Sequence, residues 1–159
     1  MTIDVTSTMP GLDWLLNDFV RRVPGVQSAF LASSDGIELA ASGLSGQQPE
    51  TAAAVVASLY SLARGAGRLT PRPSTDVKVR QVVIELDSAT MFLTVAGDGL
   101  PQGVSVQYGA DPRKASSVLG VMAGPEANVG LIGHEMATMI RSVAEHLVTD
   151  TRRGPDQGR

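Results

Sequence analysis

A histidine and a glutamate stand side by side in the segment GHEMATMIRSVAEH, and both residue types can bind zinc. In the His-Glu-x-x-His signature, two histidines lie one helical turn apart and bind the metal together. The residue one turn after His134 is Thr138, and the next histidine, His146, lies too far along the helix for that geometry. We therefore predict two surface histidines, with no metal and no cofactor.

Two glycine-rich segments, ARGAGR and AGDGLPQG, could be mistaken for phosphate-binding loops. Such a loop follows a strand, opens a helix and continues as Gly-Lys-Ser/Thr, because main-chain N–H groups and the lysine hold the phosphates. The first segment follows a predicted helix, and neither segment continues in that way. Ser33 and Ser34 lie in a predicted hairpin turn, unlike a hydrolase nucleophile on a strand-to-helix elbow. We therefore predict that the protein is not an enzyme.

The composition indicates a single, slightly acidic domain. The chain has 159 residues, a formal net charge of -3 and no cysteine, and its 13 Lys and Arg residues form no run or stripe. The length suits one hydrophobic core, and the charge disfavours binding to nucleic acid. The N-terminus lacks the features of a signal peptide, and no apolar run is long enough to cross a membrane. We expect a soluble, cytoplasmic protein.

Apolar periodicity and turn signals divide the chain into helices and strands. Helices are predicted where apolar residues recur every three or four positions, at 12–23, 49–66 and 128–148. Strands are predicted at 26–33, 36–41, 78–86, 89–96 and 117–123, with a further extended piece at 103–108. The links between strands are mostly too short for parallel crossovers, so we predict an α+β fold with one antiparallel sheet and helices on its faces. Residues 1–9 are expected to be flexible and the polar tail 149–159 to be disordered.

The predicted helix at 49–66 carries no charge between Glu50 and Arg64, which is unusual for a surface helix. One side is a predicted core stripe: Ala52, Val55, Val56, Leu59, Leu62, Ala63 and Ala66. The opposite side is small or uncharged: Ala53, Ala54, Ala57, Ser58, Tyr60 and Ser61. Small side chains let a second backbone approach closely, so we predict a homodimer interface formed by Ala54, Ala57, Ser58 and Ser61. The alternative is an exposed helix, because alanine favours helices and costs little in water.

Several segments in order resemble the roadblock/dynein light-chain family, most specifically PGVQSAFLASSDGIELAAS, SLARGAG and GLIGHEMA. The similarity covers about residues 10–148, the predicted domain, and looks closest to actinobacterial members encoded beside a sensor kinase and a small Ras-like GTPase. It implies a five-stranded antiparallel sheet between one long helix and two others. It also implies a dimer formed through the second helix and the adjacent strand edge. The segment 100–116 departs from the pattern, since similar proteins pass almost directly between the last two strands.

The resemblance also implies a function without substrate chemistry. Proteins of this family act as scaffolds, and bacterial members bind a small GTPase and can stimulate its hydrolysis of GTP. We therefore expect a homodimeric, non-catalytic regulator or adaptor of a Ras-like GTPase within a complex that includes a sensor kinase. The alternative from another class is a small-molecule sensor domain, which requires a pocket lined by convergent polar groups.

Four residues are predicted to contact a partner protein. Trp14 projects to the polar side of the first helix, where a tryptophan either folds over a neighbouring element or anchors a contact. Arg64 and Arg68 lie near the end of the second helix, where they complement the helix dipole and suit an acidic partner surface. Tyr60 belongs to the uncharged side of the same helix.

Overall fold

The computed structural model describes residues 12–72, 77–98 and 116–152. In chain order the elements are α1 (Leu12–Arg22), β1 (Val26–Ser33), β2 (Glu38–Ser42), α2 (Gln48–Ala66), a short 3-10 turn (Gly67–Leu69), β3 (Gln81–Glu85), β4 (Thr90–Asp98), β5 (Ser116–Ala123) and α3 (Val129–Arg152). The strands form one antiparallel sheet in the order β2-β1-β5-β4-β3. The predicted five-stranded antiparallel sheet is confirmed.

Local sequence signals set the limits of the first three elements. α1 buries apolar residues at helical spacing: Leu12, Leu16 and Phe19. The chain then turns at Gly25, whose φ of 84° is a left-handed conformation that glycine adopts without strain. Gly36 has a φ of 98° in the turn between β1 and β2, and its N–H donates to the carbonyl oxygen of Ser33 at 3.1 Å. The tight hairpin predicted at Asp35-Gly36 is therefore confirmed.

The sheet separates two hydrophobic cores. On one face α2 is the one helix among the described elements, and its Ala53 and Val56 share a core with strand residues that include Phe30, Leu93 and Val118. On the other face α1 and α3 pack side by side over a core that includes Leu16, Phe19, Leu31, Phe92, Leu119, Ile132 and Met136. One helix on one face and two on the other is the predicted arrangement, but the single helix is α2 and not α3, the longest of the three.

β5 joins two hairpins that are distant in sequence. The first hairpin is β1 with β2, and the second is β3 with β4. β5 lies between them and pairs antiparallel with both β1 and β4. Residues 116–121 of β5 are buried without interruption, as expected for a strand covered by helices on both faces of the sheet.

Some predicted boundaries differ from the structure or fall outside it. α3 continues to Arg152, so residues 149–152, predicted as the start of a disordered tail, are helical. Once formed, a helix propagates readily into polar sequence, which is why composition placed its end too early. Residues 1–9, the extended piece at 103–108, the segment 100–116 apart from Ser116, and 153–159 lie outside the described residues.

Gly120 provides a test of the packing between β1 and β5. It pairs with Phe30 across the two strands, and a Cβ atom at Gly120 would collide with the buried Phe30 ring. We expect Gly120→Ala to lower the free energy of unfolding in chemical denaturation by about 1–3 kcal/mol, the usual cost of overpacking a core. Gly133→Ala in α3 is the matched control, because its Cβ meets open space. Equal losses in the two variants would contradict this packing.

Candidate protein-interaction surfaces

α2 packs on the sheet through a narrow line of side chains. Ala53 and Val56 are buried, and Leu59 and Tyr60 pack against the same core. The Tyr60 hydroxyl lies 3.5 Å from the Ser116 Oγ at the start of β5. The prediction that Ala53 and Tyr60 face away from the sheet is therefore wrong, and Tyr60, predicted to contact a partner, is half-buried in the single chain.

The other side of α2 is exposed and uncharged. Val55 and Leu62, predicted to face the core, are exposed to 37% and 71%. That prediction is wrong because the helix is apolar on both sides, so hydropathy alone does not fix its rotation about its own axis. The signal that would have found this side is the seven-residue spacing of Val55, Leu62 and Leu69, all three of which are exposed.

We call the exposed, uncharged side the outer face of α2; its residues are Thr51, Ala54, Val55, Ser58, Ser61, Leu62 and Gly65. Three of the four residues predicted to form a dimer interface belong to it: Ala54, Ser58 and Ser61. The fourth, Ala57, is half-buried beside the hairpin turn at Gly36. The Ser58 hydroxyl donates to the carbonyl oxygen of Ala54 at 3.0 Å, which leaves the outer face less polar than its composition suggests.

Within the part of the chain that the structure describes, the edge of the sheet at β3 is open beside this helix. Among the described strands β3 pairs with β4 alone and is the last in the sheet order. Val82 and Ile84 turn towards the core under α2, while Val83 is exposed on the other side of the strand. Leu86, just after β3, is exposed as well. An open edge strand with exposed apolar residues offers its backbone N–H and C=O groups to another chain.

The residues predicted to contact a partner lie on two different sides of the molecule. Trp14, the only tryptophan of the chain, is 66% exposed on α1. Arg64 and Arg68 are exposed near the end of α2, and neither forms an ion pair with any residue that the structure describes. α1 and α2 belong to the cores on opposite faces of the sheet, so the fold does not bring Trp14 together with the two arginines.

Three carboxylates lie near one another where α1, β2 and the start of α2 meet. Burial raises the pKa of Asp13, and a hydrogen bond from the backbone of Ala41 partly opposes that shift. Burial, followed by the negative charges of Glu50 and Asp13, raises the pKa of Glu38. No ion pair to these carboxylates forms within residues 12–72, 77–98 and 116–152. The region is therefore a patch of uncompensated negative charge.

In the His-Glu pair of α3, the glutamate links this helix to α1. Glu135 pairs with Arg22 of α1 at 2.6 Å, and His134 is exposed. Within the described residues no group of three or more His, Cys, Asp or Glu side chains is placed to hold a metal ion. No helix among those same residues is both long enough and apolar enough to cross a membrane.

An open cleft of about 530 Å³ lies where α1 runs into β1 and β5 runs into α3. Most of its lining residues are small or apolar, and the polar ones are Gln27, Glu126 and Asn128. Small-molecule sites usually combine an apolar wall with several polar groups that converge on the ligand. In this cleft the Asn128 Oδ1 already accepts a hydrogen bond from the Leu131 N–H at 2.9 Å, which leaves Gln27 and Glu126 as the other polar side chains of the lining. The cleft therefore gives the sensor alternative little support.

Comparison with known proteins identifies the family. The Roadblock/LC7 domain matches residues 12–101, more than half of the chain. The chain belongs to the Roadblock/LC7 family. A Roadblock/LC7 domain of Streptomyces avermitilis has 37% sequence identity and a TM-score of 0.67, over 86% of this chain and 97% of that one. A second Roadblock/LC7 domain from the same organism has 26% identity and a TM-score of 0.59, over 83% and 97%.

A solved structure of much lower sequence identity shares the fold. MglB of Myxococcus xanthus has 10% identity and a TM-score of 0.65, over 89% of this chain and 98% of that one. The comparison with curated proteins finds no match. Proteins of the Roadblock/LC7 family are generally regulatory or adaptor proteins rather than enzymes.

The carboxylate patch leads to a prediction about stability and pH. Because the pKa of Glu38 is raised in the folded chain, its ionisation opposes folding as the pH rises through that pKa. We expect Glu38→Gln to raise the midpoint of thermal unfolding at pH 7 and to have no effect below about pH 4, where the carboxyl is largely protonated in both states. Glu126→Gln, at an exposed position of the cleft, is the control. A gain that persists unchanged at pH 3 would contradict the electrostatic cause.

Proposed function

We propose that this Roadblock/LC7 protein is a cytoplasmic, homodimeric regulator of a Ras-like small GTPase, which it binds within a complex that includes a sensor kinase. The observation that carries the proposal is the outer face of α2, an exposed helix surface without charge on a chain of 159 residues. Exposed apolar surface that is continuous along an element marks a protein-interaction site. Leu62 and Leu69 are the largest exposed apolar side chains of α2 and the 3-10 turn that follows it.

The dimer is supported by two features that lie next to each other. A two-fold axis at the open edge of β3 would pair that strand with its copy and bring the two α2 helices together on one side of the joined sheet. Val82 and Ile84, half-buried under α2 in the single chain, lie at this edge. The same contact would stabilise both features, because the free backbone groups of the strand would form hydrogen bonds and the exposed apolar surface of the helix would be buried.

Binding of a GTPase is supported by the family and by the exposed side chains that remain. The resemblance to members encoded beside a Ras-like GTPase implies that partner. Arg64 and Arg68 can meet acidic groups on it, and Trp14 can anchor a contact on the opposite side of the sheet. We propose that the regulator acts by repositioning the catalytic groups of the GTPase itself. The two arginines would then assist association rather than stabilise charge on the transferred phosphate.

A substitution on the outer face of α2 tests the dimer. Ser58 is exposed in the single chain, so Ser58→Arg should fold normally and yet bury an unpaired charge on dimerisation, which costs several kcal/mol. We expect sedimentation to find a folded monomer. Ala57→Arg should also be monomeric but less stable, since Ala57 is half-buried. Ala137→Arg, at an exposed alanine of α3, is the matched control. An unchanged dimer for Ser58→Arg would contradict the proposed interface.

Binding of the GTPase can be separated from its stimulation. We expect the purified protein to retain a Ras-like GTPase in a pull-down that depends on the bound nucleotide. Arg64→Ala and Arg68→Ala should weaken binding modestly and leave the rate at saturating regulator nearly intact. An inserted arginine would instead contribute about a thousandfold or more to that rate.

A collapse of the saturated rate with binding preserved would show that one of these arginines acts on the phosphate. Trp14→Ala is the companion variant, because it removes an exposed side chain from the other face of the sheet. Loss of affinity in Trp14→Ala alone would place the GTPase on α1 rather than beside α2.

A further inference from the structure

The two edge strands of the sheet differ in how well they are covered. Among the described strands, β2 and β3 lie at the two ends of the sheet. No residue of β3 is buried, and its exposed residues alternate with half-buried ones. In β2, by contrast, Leu39, Ala40 and Ser42 are buried, although an edge strand ordinarily leaves its outer side open. The two edges are therefore not equivalent sites for another strand.

Two polar side chains of α1 reach the edge of the sheet at β2. The Ser42 hydroxyl donates to the Oδ1 of Asn17 at 2.5 Å. One turn earlier in α1, the carboxylate of Asp13 accepts a hydrogen bond from the backbone of Ala41. Asp13 and Asn17 are four residues apart, so both lie on the side of the helix that faces this edge. α1 therefore covers β2 with acceptor groups as well as with its apolar side.

The backbone N–H of Ala41 points away from β1. Ala41 lies opposite Phe30 in the register of β1 and β2. In an antiparallel pair, opposite residues that bond to each other alternate with residues whose N–H and C=O groups point outwards. Ala41 belongs to the second kind, because its N–H donates to Asp13. Asp13 thus takes the place of the carbonyl oxygen with which a further strand would bond to β2.

The carboxylate of Asp13 is energetically unfavourable where it lies. Its Oδ1 atom is buried and has no hydrogen-bond partner among the described residues. Burial raises the pKa of the carboxyl, so its ionised form opposes folding when the pH is above that pKa. Asp13 therefore does not stabilise the folded chain at neutral pH. Its position is better explained by the strand pairing that it blocks.

We propose that Asp13 and Asn17 form an edge cap, which prevents β2 from pairing with β2 of a second copy of this chain. With the cap in place, the described sheet has one open edge, at β3. One open edge lets association stop at a closed two-fold pair, whereas two open edges let chains add end to end into a filament. The proposal rests on the two edges of the single chain and does not require the homodimer of the proposed function.

Removal of the edge cap tests the proposal through the mass of the protein in solution. The double variant Asp13→Ala/Asn17→Ala lacks both acceptors, and alanine favours the helix at both positions. We expect it to fold with a thermal midpoint no lower than that of the wild type. Its weight-average mass in sedimentation should nevertheless be about twofold or more that of the wild type, because the freed edges pair. Asp18→Ala removes an exposed carboxylate of the same helix and should match the wild type.

Two further variants show whether the association runs through β2. Asp13→Asn keeps an oxygen that can accept from the Ala41 N–H, so it should keep the mass of the wild type. Adding Ala41→Pro to the double variant removes the N–H that pairing of two β2 strands requires, and proline is tolerated on an edge strand. This triple variant should return to the mass of the wild type.

Hydrogen exchange of the Ala41 amide reports on the edge cap directly. At a dilution where Asp13→Ala has the mass of the wild type, its Ala41 amide should exchange about tenfold faster than that of Asp13→Asn. Equal rates would show that Asp13 does not hold this N–H and would contradict the edge cap.

The sedimentation outcomes separate this proposal from the proposed function. A folded double variant with the mass of the wild type at every concentration would overturn the edge cap. Association that Ala41→Pro leaves unchanged would also overturn it, because the contact would then lie elsewhere. A wild-type chain that is monomeric would contradict the homodimer alone, since the edge cap is judged by the difference between the variants and the wild type.

Discussion

The constraint on which this molecule depends is that α2 is apolar around most of its circumference while the sheet covers one side of it. Ala53 and Val56 are buried against the sheet, and Leu62 on the other side is largely exposed to solvent. Fully burying a leucine side chain stabilises by about 1.5–3 kcal/mol relative to exposure. Within the described part of a single chain Leu62 does not gain that energy, because α1 and α3 pack on the opposite face of the sheet. The apolar side chains of the two cores are therefore buried, whereas those on one surface of α2 stay exposed.

Residues with strong local signals could be placed from the sequence. Asp35-Gly36 predicts a hairpin because few residues tolerate a positive φ. The spacing of Leu12, Leu16 and Phe19 correctly predicts which side of α1 is buried. The orientation left Trp14 exposed, as the structure has it. The order of the strands could not be predicted in this way. The pairing of β5 with both β1 and β4 depends on contacts between distant segments, which no local pattern specifies.

The rotation of α2 could not be predicted by the same means. Ala53 and Ala54 are neighbours of equal size and hydropathy, yet one is buried and the other exposed. What decides between them is the surface below, where the hairpin turn at Gly36 and the strand residues leave room for Ala53, Val56 and Tyr60. The sequence predicts an uncharged surface on this helix, but it places two of the largest exposed residues, Val55 and Leu62, in the core. The sides of an Ala-rich helix differ too little in hydropathy for the sequence of the helix alone to predict which side is buried.

The strand order also says something about how the protein is made. Synthesis delivers the β1–β2 hairpin first and the β3–β4 hairpin next, but the strand that unites them, β5, is the last of the sheet to leave the ribosome. Until then the nascent chain holds two separate ribbons, and isolated two-stranded hairpins are marginal in water. Loop closure over so long a stretch makes folding late and cooperative. α2, with its exposed apolar side chains, is thus synthesised early, whereas β5, which completes the sheet beneath it, is synthesised near the end. The binding surface of α2 therefore takes its final form only when the chain is almost complete.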